Sequence, residues 1–175
     1  MRLYLEQLSE EPTAVVVGES SAWARAAAEE AVEGEALSLE GELDFQMKHE
    51  TLVVAGDLRL KCRRSCDRCG GSLLLEIEGP VDLAYRPEIQ SSEAVRELSN
   101  DDLDVGFYTG SAFEVADAVR EHLALQLPFQ VHCEVAGASP EEGECNPVLS
   151  EEDAEDTEEK VDPRFAILKE LKFDN

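Results

Sequence analysis

"LVVAGDLRLKCRRSCDRCGGSLLLEIEGPVDLAY", residues 52–85, decides how this chain is read. Its first part puts Leu52, Val54, Leu58, Leu60 and Cys62 on one side of an extended strand, because successive side chains of a strand point to opposite faces. Its last part does the same with Leu73, Leu75, Ile77, Val81, Leu83 and Tyr85. A period of two marks a strand with one buried face. Just upstream, LSLEGELDFQM repeats the pattern: Leu37, Leu39, Leu43, Phe45 and Met47 alternate with Ser38, Glu40, Glu42, Asp44 and Gln46. The links between these runs are short, which predicts an antiparallel meander. Pro80 predicts an edge position or a bulge in the third strand, since proline cannot donate to a ladder.

Helical patterns flank the meander. Residues 20–33 read as a helix capped by Ser20 or Ser21, rich in alanine, anchored by Trp23 and ended by Gly34. Residues 87–110 are polar and read as mostly loop. Ser111 with Glu114 has the capping-box spacing, and Val115, Val119, Leu123 and Leu127 recur at helical intervals up to Pro128. Residues 134–161 are Glu-rich without periodicity and read as a mobile tether. Asp162-Pro163 starts a short last helix with an apolar stripe of Phe165, Leu168 and Leu171, marginal unless it docks in a groove. The expected class is α+β: an antiparallel meander, as a curled sheet or partial barrel, packed by two longer helices. The division is one domain over 1–140 with a cysteine knuckle at 62–71, an acidic flexible segment over 141–161, and a C-terminal helix over 162–175.

With 175 residues and 43% hydrophobic content, a globular core is expected. No apolar run is long enough to span a bilayer, and MRLYLEQLSEEPT does not read as a secretory signal, so the expected location is the cytoplasm, with no membrane partner. Five cysteines then fit free thiols or metal ligands better than disulfides. Forty acids against fifteen bases give a formal charge of −25, which as a whole repels polyphosphate. The charge is sorted, however. Arg59, Lys61, Arg63, Arg64 and Arg68 lie within ten residues, while residues 141–159 hold ten acids and no base.

Cys66-Asp67-Arg68-Cys69-Gly70 has the C-x-x-C-G form of a zinc knuckle, whose spacing lets both thiolates meet one ion. Glycine after the second cysteine permits the tight turn. The remaining ligands would be Cys133 and Cys145, making Cys66, Cys69, Cys133 and Cys145 a candidate site for Zn2+. Cys62 shares the inward parity of Leu58 and Leu60 and reads as a buried core thiol. A thioredoxin-type pair at Cys66 and Cys69 is the rival, but such a pair belongs at a helix N-terminus, and here the chain runs into a strand.

Arg59, Lys61 and Arg63 share the outward face of their strand, and Arg64 and Arg68 extend the strip around the knuckle. The five form a candidate phosphate-contacting strip for RNA; the plain alternative is a solvated face balancing Glu40, Glu76 and Glu78 across the sheet. His49, His122 and His132 fall in no nucleophile motif, and no phosphate-binding glycine loop is present, so neither an enzyme nor a small-molecule substrate is expected.

The order LKCRRSCDRCGG, then an acidic loop, then FEVADAVREHLALQLPFQVHC, then VDPRFAILKELK resembles the YceD family, domain-of-unknown-function family 177. The resemblance covers roughly residues 50–173, carried by Cys66 and Cys69, by LALQLP at 123–128, and by Asp162-Pro163-Arg164 leading to Leu168 and Leu171. It implies a role in accumulation of 23S rRNA and in large-subunit assembly, with a large-subunit precursor, rRNA or a basic ribosomal protein as partner. The expectation is therefore a non-catalytic ribosome-biogenesis factor acting as an adaptor. The alternatives are a zinc-stabilised protein-interaction module without RNA contact, and a thiol-redox protein.

Overall fold

The structure is a computed structural model and describes residues 1–18, 20–88, 103–143 and 145. From the N-terminus, β1 (Arg2–Tyr4) and β2 (Thr13–Val17) lead into helix α1 (Ala22–Val32). Three long strands follow: β3 (Glu35–Lys48), β4 (Thr51–Ser65) and β5 (Ser72–Pro87). The chain continues through β6 (Gly106–Tyr108), β7 (Ala112–Glu114), helix α2 (Val115–Gln126) and β8 (Ala138–Pro140).

The expected meander is present. β2, β3, β4 and β5 pair in that order, each antiparallel to the next, in an open sheet. Lys48 pairs with Thr51, so the β3–β4 link is His49-Glu50, with His49 in the left-handed region at φ 57°. On its other side β5 carries β6 in parallel at Tyr85–Pro87 and β8 antiparallel at Leu73–Leu75. Between them, no strand pairs with that side of β5 among the described residues. Pro80 lies in this unpaired stretch, and the register against β4 runs through it unbroken. Of the two roles expected for Pro80, the edge position holds and the bulge does not.

The inward residues of the meander are buried as their alternation requires: Leu39, Leu43 and Phe45 on β3, Leu52 to Cys62 on β4, Leu73 to Tyr85 on β5. Each such fully buried side chain contributes about 1.5–3 kcal/mol. Leu37 departs from this. A register shift between Ala36 and Ser38 in the β3–β4 ladder buries Ala36 and leaves Leu37 36% exposed. One extra residue in a strand flips the parity of everything before it.

Both helices pack against the sheet and against each other. α1 buries Ala24, Ala27, Ala28 and Val32, and Trp23 is half-buried at the core. The left-handed residue after α1 is Glu33 (φ 51°), not Gly34. Gly34 is required for another reason: a Cβ there would sit 2.4 Å from the Arg63 carbonyl oxygen of β4. α2 buries Val115, Val119 and Leu123 and stops at Gln126 ahead of Pro128, as its spacing predicts. The expected capping box does not form. Residues 112–114 are instead β7, paired with β1 (Leu3 opposite Phe113), and the Glu114 carboxylate binds the Arg2 guanidinium. A strand partner more than a hundred residues away outcompetes the local cap.

The tether expected over 134–161 is ordered at its start, because β8 lies within it. Most of the acidic segment 141–161 and all of the C-terminal helix 162–175 lie outside the described residues, as does the 89–102 part of the expected loop. Among the described residues no helix is long and apolar enough to cross a membrane.

Candidate metal centre and basic strip

Ser65 pairs with Ser72, which leaves residues 66–71, the knuckle, as the loop of the β4–β5 hairpin. The loop is tied by its own backbone: the Cys66 N–H donates to Gly71 O at 2.8 Å and the Gly70 N–H to Cys66 O at 2.9 Å. The Arg68 N–H donates to the Cys66 sulfur at 3.4 Å. Gly70 takes φ +69°, a conformation that side chains disfavour, which explains glycine after the second cysteine.

Cys133 and Cys145 arrive from either side of β8, and the Sγ atoms of Cys66, Cys69, Cys133 and Cys145 all lie within 4.8 Å of one another. Two separations are 3.9 Å, Cys66 to Cys145 and Cys69 to Cys133. All five cysteines are free thiols. A tetrahedral zinc with Zn–S bonds of about 2.3 Å spaces its sulfurs about 3.8 Å apart. The donor set and spacing therefore fit one zinc ion, a metal that soft thiolate ligands suit.

The local field differs from sulfur to sulfur. Burial opposes ionisation of Cys66, but the backbone N–H groups of Cys69, Arg68 and Cys133 and the Cys69 thiol outweigh it and bring Cys66 down to about 6. Burial pushes Cys133 up to about 12, with Cys66, Cys145 and Cys69 adding to the rise, and burial likewise raises Cys145. Cys62 lies outside the cluster, fully buried on β4, its pKa raised by burial. The thioredoxin-type redox alternative finds little support in the placement of the pair, since such a pair sits accessible at a helix N-terminus. Cys66 is 3% exposed and sits between two strands.

The five strip bases are placed near one another, and each has a carboxylate partner. Arg59 binds Glu78 and lies 3.7 Å from Glu40. Lys61 reaches Glu76 at 3.5 Å. Arg63 pairs with Glu35 at 2.6 Å and Glu141 at 3.0 Å. Arg64 pairs with Asp67 at 2.8 Å, and Arg68 with Glu134 at 3.4 Å. Arg59 in turn holds the Glu78 carboxyl below its usual range, by hydrogen bond first and charge second. Glu141 is thus committed to this face rather than to a free anionic tail; the Ser72 hydroxyl and Arg63 hold its carboxyl below the usual range.

Two residues of the site escaped the sequence reading. Asp67 and Val131 hold each other across the cluster: the Asp67 N–H donates to Val131 O at 2.9 Å, and the Val131 N–H donates to Asp67 Oδ2 at 2.6 Å. Nothing in the spacing marks either. The histidines contribute no ligand to the four-sulfur group. His122 is buried with Nε2 unpartnered, and His132 Nδ1 accepts from the Glu134 N–H at 3.3 Å.

These features define a small α+β domain with a four-cysteine cluster at one end of its sheet. The chain belongs to the family described as large ribosomal RNA subunit accumulation protein YceD, which matches residues 54–172 and so includes all four clustered cysteines and the strip. It is also similar to the Bacillus subtilis (strain 168) protein described as "Uncharacterized protein YlbN", 29% identical over 141 residues, covering 76% of this chain and 72% of that one. No solved structure matches.

Proposed function

We propose that this protein is a non-catalytic factor of large-subunit maturation that supports 23S rRNA accumulation as an adaptor for a basic ribosomal protein, rRNA or both. Family membership over residues 54–172 carries the reading. The charge favours the protein side of it. A chain at −25 suits a cationic partner, and every strip base is already matched by an acid. A cleft between α2, β5 and β6 adds to this, since it combines Asp82, Asp104 and Glu121 with Leu83, Leu103 and Leu125. Rim charges of this kind steer a partner and fix its register.

Contact with rRNA through Arg59, Lys61, Arg63, Arg64 and Arg68 is the second half of the proposal. The exposed ion pairs of Arg59, Lys61, Arg63 and Arg68 contribute little and are screened by salt, so a phosphate can compete for these four cations, while Arg64, only 12% exposed, is the least available of the five. We further assign Cys66, Cys69, Cys133 and Cys145 as ligands of a zinc ion whose role is structural, closing the chain from 131 to 145 onto the hairpin tip. A bound structural zinc contributes on the order of 10 kcal/mol to folding. The paired state of the strip favours one alternative, a zinc-stabilised interaction module that touches no RNA.

Affinity purification from growing cells followed by sedimentation tests the main reading. The protein is expected to travel with large-subunit precursors, and its depletion is expected to lower 23S rRNA relative to the small-subunit rRNA. Sedimentation as free protein, with that ratio unchanged, refutes it. Exchanging Arg59, Lys61 and Arg63 for Gln together separates the two halves. Association that weakens and becomes less salt-dependent supports the rRNA contact; association equal to wild type leaves the module without RNA contact.

A further inference from the structure

We infer that Asp67 is a positioning residue for the four-cysteine centre, holding the chain at Val131 so that Cys133 stands beside Cys69 before any ion binds. The inference rests on the zinc assignment above. Cys69 and Cys133 are separated by 64 residues, yet their sulfurs lie 3.9 Å apart. The two residues between the knuckle cysteines bracket this approach. Asp67 exchanges two hydrogen bonds with Val131, and Arg68 pairs with Glu134 at 3.4 Å, so the chain is held on both sides of Cys133.

The two ties are unequal. Arg68 and Glu134 meet in an exposed pair. Val131 is 1% exposed, and its N–H finds its acceptor in the Asp67 carboxylate. Without that acceptor a buried N–H is left unsatisfied, and the segment relaxes rather than bear it. Asp67 is itself steadied by Arg64, whose guanidinium lies 2.8 Å from Oδ1 and whose side chain is 12% exposed. Beyond residue 134 the chain is held by the β8–β5 ladder, with the Glu76 N–H donating to Gly137 O at 3.0 Å, and by Glu141 on Arg63 and Ser72. A ligand already in place loses little conformational freedom on meeting its ion, and groups that orient ligands typically change metal affinity about 10–100-fold.

The test uses the full chain loaded with zinc, titrated with a chromophoric chelator, and in parallel loaded with cobalt(II), whose absorption reports how many thiolates bind. Asp67→Ala is expected to release zinc at about 10–100-fold lower chelator concentration and to lose thiolate-to-cobalt absorption. Asp67→Asn keeps one acceptor for the Val131 N–H and is expected to restore most of both. Wild type that binds no zinc overturns the zinc assignment and this inference with it. Wild type that binds zinc, beside Asp67→Ala with equal affinity and an equal cobalt spectrum, overturns this inference alone. If Asp67→Ala does not fold, Asp67→Leu, which fills a similar volume and carries no acceptor for the Val131 N–H, takes its place, and wild-type values there overturn the inference equally.

Discussion

Gly34 shows how a residue can be placed correctly by sequence and for the wrong reason. Its position after a helix suggests a left-handed cap, yet Glu33 supplies that conformation, and Gly34 is there because β4 passes too close for a Cβ. Gly34→Ala is therefore expected to cost about 1–3 kcal/mol through backbone displacement, seen as a fall of several degrees in the thermal midpoint. The five cysteines separate at the same scale. Cys62→Ser buries an unmatched hydroxyl and is expected to cost about 1–3 kcal/mol while zinc content stays at the wild-type value. Cys66→Ser is expected to abolish zinc content. His122 gives a pH effect. Burial lowers its pKa below the ordinary 6.5, so on acidification the unfolded chain takes up this proton before the folded one does. Stability is then lost as pH falls from about 6.5 towards the folded value, and the loss levels off below it. His122→Leu removes that part of the slope, which urea midpoints at matched pH values will measure.

At the scale of elements, what was legible was what is local. Period-two alternation found β3, β4 and β5 and nearly all their buried residues, because a strand's two faces are written every second position. The failures are long-range. The bulge that exposes Leu37 is set by the register of β3 on β4, which alternation within one strand does not carry. The capping box at Ser111 and Glu114 was overridden by β1, which pairs from 112 positions away. Phe113 shows what that pairing achieves: it is buried, and its ring lies 4.7 Å from Tyr85 and 6.2 Å from Phe45, joining β7 to the main sheet. Phe113→Ala is expected to cost about 3–5 kcal/mol in denaturant unfolding. Pro80 acts outward instead. Pro80→Val gives the unpaired stretch of β5 a ladder donor and a β-branched side chain, and concentration-dependent self-association by light scattering is the expected result.

For the whole molecule, the knuckle, the outward parity of the strip and its cross-strand acids Glu40, Glu76 and Glu78 were readable, and Cys133 and Cys145 could be named as the remaining cysteines but not placed. Cys133 and Cys145 are far from Cys66 in sequence, and so are Glu35, Glu134 and Glu141 from the bases they match. Segregated charge along the chain becomes mixed charge in space at this face. Metal removal is expected to show at this scale too: a chelator should lower the thermal midpoint and speed hydrogen exchange at Ala138 and Glu76, whose N–H groups are bonded within or to the segment between the two distal cysteines. The pairing of β1 with β7 and the gathering of the four sulfurs have one more consequence, for a chain that is made from one end. The three-strand meander can close as soon as residue 87 is made, but Arg2–Tyr4 then waits for residues 112–114, and Cys66 waits for Cys145, 79 positions on. At about 5–20 residues per second, a nascent chain carries a finished hairpin whose two tip thiols stay uncovered for several seconds, open to oxidants and to stray metals until Cys145 is synthesised.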